Sequence, residues 1–112
     1  MRPTETLLQA RAEALAQIAA LTSDLEGVID ASRSSNADDE HDPEGATIAF
    51  ERAQVIALLA AARRRLADLD AALERVAAGT YGTCERCGRP IPADRLEARP
   101  FAPTCVACAG RR

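Results

Sequence analysis

Four cysteines near the end of the chain constrain its fold more than any other feature. They form two Cys-x-x-Cys pairs, Cys84 with Cys87 and Cys105 with Cys108, and seventeen residues separate the pairs. Two residues between thiolates allow a tight turn that directs both sulfurs at one ion about 2.3 Å away, and a second such turn completes a tetrahedron. The spacing therefore predicts one Zn²⁺ bound by all four cysteines.

The predicted zinc is structural, because four protein ligands leave no coordination position for a catalytic water. Gly88 directly follows the first pair and suits a tight turn, since it lacks a Cβ. Two disulfides or a dithiol redox pair are the alternatives, because a single Cys-x-x-Cys motif also occurs in redox proteins. The first residues show no apolar signal-peptide core, so we expect a cytoplasmic location and reduced thiols.

Two stretches before the cysteines carry the seven-residue spacing of coiled coils. In about residues 4–31 the heptad positions hold Leu8, Leu15, Ile18, Leu25 and Ile29, and a neighbouring series adds Leu7, Ala14, Leu21 and Val28. In about residues 44–78 the heptad positions hold Ile48, Val55, Leu59, Ala62, Leu66, Leu69, Leu73 and Val76. The pattern predicts two helices, and Gly79 is the expected stop of the second.

A polar, acidic segment, residues 32–44, separates the two helical stretches. Two helices joined by a short polar loop form an antiparallel hairpin. We therefore predict a mainly α fold: an antiparallel two-helix coiled-coil hairpin at residues 1–80, with an acidic tip loop at about 32–46, followed by a small four-cysteine zinc finger at residues 81–112. The heptads align five pairs across the hairpin: Ile29 with Ile48, Leu25 with Arg52, Ile18 with Leu59, Leu15 with Ala62, and Leu8 with Leu69. We expect the charged heads of Arg11 and Arg52 to extend into water.

The charge distribution narrows the possible classes of function. The net charge is −3, yet the last 32 residues hold six arginines and three acids, and we expect these arginines to offset the negative charge of a zinc–cysteine core. A chain that is acidic overall lacks the basic surface of nucleic-acid binders, so we expect no sequence-specific DNA binding. No Ser-His-Asp set or Gly-rich phosphate loop is present, which argues against an enzyme. The longest purely apolar run, Val55 to Ala62, is too short to span a bilayer, so we expect no membrane partner.

The finger segment carries a specific residue pattern. It reads Tyr-Gly-x-Cys-x-x-Cys-Gly-x-x-Ile from Tyr81, Arg-Leu-x-Ala-x-Pro from Arg95, and Cys-x-x-Cys from Cys105. This pattern resembles the zinc-finger signature of the DksA/TraR family, and the hairpin with an acidic tip agrees with the architecture of that family. The resemblance implies a non-enzymatic regulator of transcription that binds bacterial RNA polymerase. It also implies that the hairpin enters the secondary channel, that acidic tip residues approach the active site, and that the alarmone ppGpp often acts with the protein.

The tip and the end of the chain depart from the family pattern. The family motif Asp-x-x-Asp-x-Ala finds its first acid in Asp42, whereas Gly45 and Thr47 stand at the positions of the second acid and the alanine. The candidate tip residues are Asp38, Asp39, Glu40 and Asp42. Because Asp42 precedes a proline, capping of the second helix would also explain it. Members that respond strongly to ppGpp have a further helix after the finger, whereas this sequence ends four residues after Cys108, which argues against a full ppGpp site.

Two other functions remain compatible with the sequence. A zinc-stabilised coiled-coil adaptor that binds some other protein is favoured by the missing second acid. A dithiol redox or zinc sensor would require reversible oxidation of the thiols. Co-purification with RNA polymerase distinguishes the regulator from the adaptor.

Overall fold

The computed structural model describes residues 2–34 and 43–110, and within these ranges the protein is mainly α-helical. Two long helices, α1 (Pro3–Ser34) and α2 (Pro43–Ala78), precede two short ones, α3 (Ala93–Ala98) and α4 (Val106–Ala109). Between the described residues, β structure is limited to one antiparallel bridge that joins Thr83 to Pro90. The predicted class, a two-helix antiparallel hairpin followed by a four-cysteine finger, is confirmed.

The end of α2 is defined by a glycine in the left-handed region. Gly79 has a φ of 77°, a conformation that a residue with a Cβ adopts at a cost. Its N–H donates to the carbonyl of Val76 at 3.2 Å, and the N–H of Thr80 donates to the carbonyl of Arg75 at 2.9 Å. These two bonds satisfy carbonyls that the end of the helix leaves without intrahelical partners. The predicted stop at Gly79 is confirmed.

Residues 14–64 form one of two compact units. The buried core of this unit consists of Leu21, Leu59 and Ala62, and Ile18, Leu25 and Val55 pack against it. Residues of α1 and α2 therefore share one small apolar cluster, in which Ile18 and Leu59 lie together as the heptads predict. The cluster contains a buried alanine, which allows two helix backbones to approach closely.

The predicted facing of Leu8 and Leu15 is wrong. These side chains are 51% and 41% exposed, whereas Leu7 and Ala14, one position earlier, are 0% and 2% exposed. The series of Leu7 and Ala14 stays apolar at four successive heptad positions, whereas Thr22 interrupts the other series. When the uninterrupted series faces α2, no hydroxyl group has to be buried. This series of α1 therefore faces α2.

Residues 1–13 and 65–112 form the second unit. Its core includes Leu7, Leu69 and Ala72, each 0% exposed. Beside this core the Arg11 guanidinium donates to a carboxylate oxygen of Asp70 at 2.6 Å, so its head is paired and does not extend freely into water. The finger shares this unit with the start of α1 and the end of α2, and the division of the chain at residue 80 stays a prediction.

The acidic tip contains the candidate functional residues of the hairpin. The candidate tip residues all lie outside the described residues: Asp38, Asp39, Glu40 and Asp42.

Within Gly45–Ala78 of α2, an 18-residue window has a mean hydropathy of 1.3 and is 11% buried. By length and composition alone this helix is apolar enough to cross a membrane, which is weak evidence for a span.

A pair of neighbouring substitutions tests which line of α1 faces the core. Leu7→Ala should lower the free energy of unfolding by about 2–5 kcal/mol, because it leaves a cavity in a fully buried position. Leu8→Ala, the matched control, should change it by less than about 0.5 kcal/mol, because most of that side chain is in water. Urea denaturation followed by circular dichroism measures both values. A larger loss for Leu8→Ala would contradict the observed facing of α1.

Candidate metal centre

The first cysteine pair lies on a tight hairpin-like turn. The N–H of Cys84 donates to the carbonyl of Arg89 at 2.8 Å, and the N–H of Gly88 donates back to the carbonyl of Cys84 at 2.9 Å. Gly88 has a φ of 73°, so the glycine supplies the left-handed residue that the turn requires. A further bond, from the N–H of Ile91 to the carbonyl of Gly82 at 2.7 Å, closes the base of the turn. The predicted role of Gly88 is confirmed.

The second pair lies at the start of α4. Cys105 immediately precedes the helix, and the N–H of Ala109 donates to its carbonyl at 2.9 Å. Cys108 is therefore held inside the single turn that follows. The two pairs are joined through the backbone, because the N–H of Glu85 donates to the carbonyl of Pro103 at 3.0 Å. Each Cys-x-x-Cys motif thus directs both of its sulfurs towards the other motif.

The four sulfur atoms come together within 4.8 Å of one another. The Sγ atoms of Cys87 and Cys105 lie 3.9 Å apart. Four sulfurs at about 2.3 Å from one ion form a tetrahedron with edges of about 3.8 Å, so the observed separation fits zinc. All four cysteines are free thiols rather than disulfides. The donor set is four soft sulfur atoms, and it fits one structural Zn²⁺.

Burial divides the thiols into an inner and an outer pair. Cys84 and Cys108 are 1% and 7% exposed and pack with Ile91, whereas Cys87 is exposed and Cys105 is half-buried. Leu96 covers the same cluster from α3. The inner sulfurs are therefore shielded from water by apolar side chains, and the outer sulfurs form the solvent-facing edge of the site.

The surroundings of the thiols shift their pKa values in opposite directions. The backbone N–H of Cys87 donates to the sulfur of Cys84 and, against the opposing effect of burial, lowers the pKa of Cys84 to about 6. A hydrogen bond with the side chain of Cys105, followed by burial, raises the pKa of Cys108 to about 12. The backbone N–H of Cys108 lowers the pKa of Cys105. Four adjacent thiolates repel one another, so the cluster keeps a proton until a cation replaces it.

Side-chain donors hold the irregular segment 99–105 in place. Hydrogen bonds run from Tyr81 Oη to the carbonyl of Pro100 at 2.8 Å, from Arg75 to that of Phe101 at 3.2 Å, and from Arg95 Nε to that of Thr104 at 2.8 Å. Burial raises the pKa of Tyr81, although the Arg75 charge opposes this, so the phenol stays a hydrogen-bond donor at neutral pH. The same segment carries Arg99, whose guanidinium lies 5.4 Å from the ring centre of Phe101.

These contacts refine the expected role of the finger arginines. The sequence predicts that they offset the charge of the zinc core, but Arg95 donates to a backbone carbonyl, and Arg86 donates to the carbonyl of Cys108 at 3.3 Å. Arg75, which lies in α2 outside the cysteine motif, was not identified as a support of the finger. The sequence gives no signal for that role, because its partner is a backbone carbonyl 26 residues away.

Replacing one inner cysteine should remove the metal and unfold the finger. Serine cannot supply the thiolate, and the binding energy of a structural zinc is largely folding energy. We therefore expect Cys84→Ser to lose zinc in native mass spectrometry and to lose amide-exchange protection across residues 81–108. The neighbouring control Thr83→Ser should keep both. Retention of one zinc per chain by Cys84→Ser would contradict a four-cysteine site.

Zinc affinity should decrease as the pH falls. Binding requires thiolates, but Cys108 keeps its proton at neutral pH because its pKa is near 12, so binding displaces at least that proton. Below pH 6 Cys84 also becomes protonated, and its displaced proton steepens the dependence. Each displaced proton weakens binding about tenfold per pH unit. Competition with a chelator of known affinity at pH 8, 7 and 5.5 measures this, and a constant affinity would contradict the prediction.

Comparison with known proteins identifies the family of this finger. The prokaryotic dksA/traR C4-type zinc finger matches residues 79–112. The structure of transcription factor DksA2 from Pseudomonas aeruginosa aligns with a TM-score of 0.80 at 32% sequence identity, over 96% of this chain and 77% of that one.

Curated relatives match over shorter segments. RNA polymerase-binding transcription factor DksA from Caulobacter vibrioides is 50% identical over 44 residues, which cover 39% of this chain and 31% of the relative. General stress protein 16O from Bacillus subtilis is 37% identical over 68 residues, 61% of this chain and 42% of the relative. The chain thus spans less than half the length of these curated relatives. Since the likeness to DksA2 covers nearly the whole chain and includes the cysteine finger, the protein belongs to the DksA/TraR family of C4-type zinc-finger proteins.

Proposed function

We propose that Cys84, Cys87, Cys105 and Cys108 are the four ligands of one structural Zn²⁺. The distance between the outer sulfurs and the clustering of all four Sγ atoms support this assignment. A shell filled by four thiolates has no open position for water or substrate, so the zinc stabilises the finger and catalyses nothing.

We propose that the protein is a non-enzymatic regulator of transcription that binds bacterial RNA polymerase. The observation that carries this proposal is the likeness to the transcription factor DksA2 across 96% of the chain. A relative from Caulobacter vibrioides is named an RNA polymerase-binding transcription factor, and its similarity covers 39% of this chain. Such a partner is in the cytoplasm, so we also propose a cytoplasmic location.

The proposed mechanism places the hairpin tip in the secondary channel of the polymerase, where it modulates initiation. Carboxylates delivered close to the active site would act on nearby cations or basic groups, and the effect is strongest where water is excluded. The tip acids Asp38, Asp39, Glu40 and Asp42 would supply these charges. Gly45, in the first turn of α2, carries no charge, so we expect an effect different in size from that of members with a second acid there. The protein would read no DNA sequence.

A protein-binding adaptor is the second candidate. The observation that favours it is the apolar surface of α2, where Phe50 is 71% exposed and Ile56 and Leu58 are 50% and 46% exposed. Exposed apolar side chains on a helix suit a protein partner. Binding of purified polymerase distinguishes the two candidates, since an adaptor for another protein should not bind it.

A charge substitution at the tip tests the proposed regulation. Asp42→Asn should preserve helix capping, because asparagine caps about as well as aspartate, but it removes the charge. We expect wild-type affinity for polymerase and promoter output shifted towards that of polymerase alone, measured by in vitro transcription. A variant with Asp38, Asp39 and Glu40 replaced by their amides should shift output in the same direction.

The matched control is Asp68→Asn, which removes the same charge from an exposed position of α2 and should transcribe like wild type. Absence of polymerase binding at micromolar concentrations would rule out the regulator. Binding with unchanged output in both tip variants would rule out the proposed role of the tip.

A further inference from the structure

A cavity of about 300 Å³ opens at the outer edge of the thiol cluster. It is lined by Cys87, Arg89, Cys105, Ala107 and Cys108. The two outer sulfurs, which are 3.9 Å apart, thus border a space large enough for part of a small molecule. The opposite side of the cluster has no such access, because Cys84 is 1% exposed and packs against Ile91.

The cavity carries one positive side chain. Among the residues that the structure describes, no hydrogen bond or ion pair of the Arg89 side chain is found, although its backbone carbonyl holds the first turn. Two other finger arginines differ, since Arg86 and Arg95 each donate to a backbone carbonyl. The Arg89 guanidinium therefore remains available to attract an anion beside the outer sulfurs.

We propose that this cavity is the access route for small anionic chelating ligands, that Cys87 is the first zinc ligand to be displaced, and that Arg89 attracts the incoming anion. The proposal rests on the four-cysteine ligand set proposed above. An incoming donor atom would replace the sulfur of Cys87, which would leave as a thiolate, so the exchange changes no oxidation state and needs no oxidant. Cys84 does not line the cavity and packs against Ile91, so it releases the metal last. The site thereby combines a structural role with a defined edge for metal exchange.

The rate of zinc release tests the role of Arg89. The full zinc-loaded chain is mixed with the anionic chelator EDTA or with TPEN, a neutral chelator, and zinc release is followed over time. Arg89→Gln should slow release to EDTA about three- to fivefold at low ionic strength, and should leave release to TPEN unchanged. The difference should vanish at about 1 M salt, where the Debye length is about 3 Å. Arg63→Gln, which removes an exposed charge from α2, should behave like wild type with both chelators.

The order of ligand displacement is tested by alkylation. With iodoacetamide, the sulfur of a displaced cysteine attacks the methylene carbon, so that a carbon–sulfur bond forms and iodide leaves. Peptide mass spectrometry of the zinc-loaded chain should show labelling first at Cys87 and last at Cys84. Equal labelling rates at Cys84 and Cys87, or equal slowing of both chelators by Arg89→Gln, would overturn the proposal.

The zinc content before mixing separates this inference from the ligand assignment on which it rests. If the chain holds one zinc but all four cysteines are labelled at the same rate, the access route is rejected and the four-cysteine site is retained. A chain purified under reducing, zinc-replete conditions that contains no zinc rejects both the four-cysteine site and the access route.

Discussion

The mutual repulsion of four sulfur ligands is the constraint on which the finger depends. Sulfur atoms within 4.8 Å of one another cannot all be thiolates without a cation, and the raised pKa of Cys108 beside the lowered pKa of Cys84 reflects this conflict. A bound divalent cation attracts all four thiolates, and this attraction outweighs their mutual repulsion. The finger has few other sources of stability, since within residues 81–110 the buried side chains are two of the cysteines, Ile91 and Ala102. A chain segment this short cannot bury enough apolar surface to order itself, so the metal takes the place of a core.

The remainder of the finger is organised by hydrogen bonds to backbone carbonyls. The segment from residue 99 to 105 has no regular secondary structure, and three of its carbonyl groups, those of Pro100, Phe101 and Thr104, accept hydrogen bonds from side chains. Tyr81, Arg75 and Arg95 supply those donors. Because Arg75 belongs to α2, the same hydrogen bonds that order the second cysteine pair also attach the segment before it to the end of the long helix. Order in the finger and order at the end of α2 are therefore linked within one compact unit.

The long helices are held together differently from the finger, by contacts between small apolar side chains. Alanine at Ala14, Ala62 and Ala72 is buried, while larger side chains such as Phe50 and Ile56 remain exposed. Close approach of two helices through alanine leaves little room for a wide core, and the apolar surface that does not fit between the helices faces outward. A surface of this kind is available to a partner, which is consistent both with a regulator of polymerase and with an adaptor.

The sequence by itself determined the two long helices and the candidate ligands, because both follow from spacing along the chain. Seven-residue periodicity predicted the two long helices, Gly79 predicted the end of the second, and two Cys-x-x-Cys motifs predicted four sulfurs around one ion. Tertiary structure showed which line of α1 faces inward: Leu7 and Leu8 are equally apolar, and the interruption of one line by Thr22 matters only once α1 packs against α2. It also decided the hydrogen bond of Arg75 and the division of the thiols into inner and outer pairs. Those features depend on groups that are distant in sequence and are brought together by folding. A pattern of local spacing therefore does not predict them.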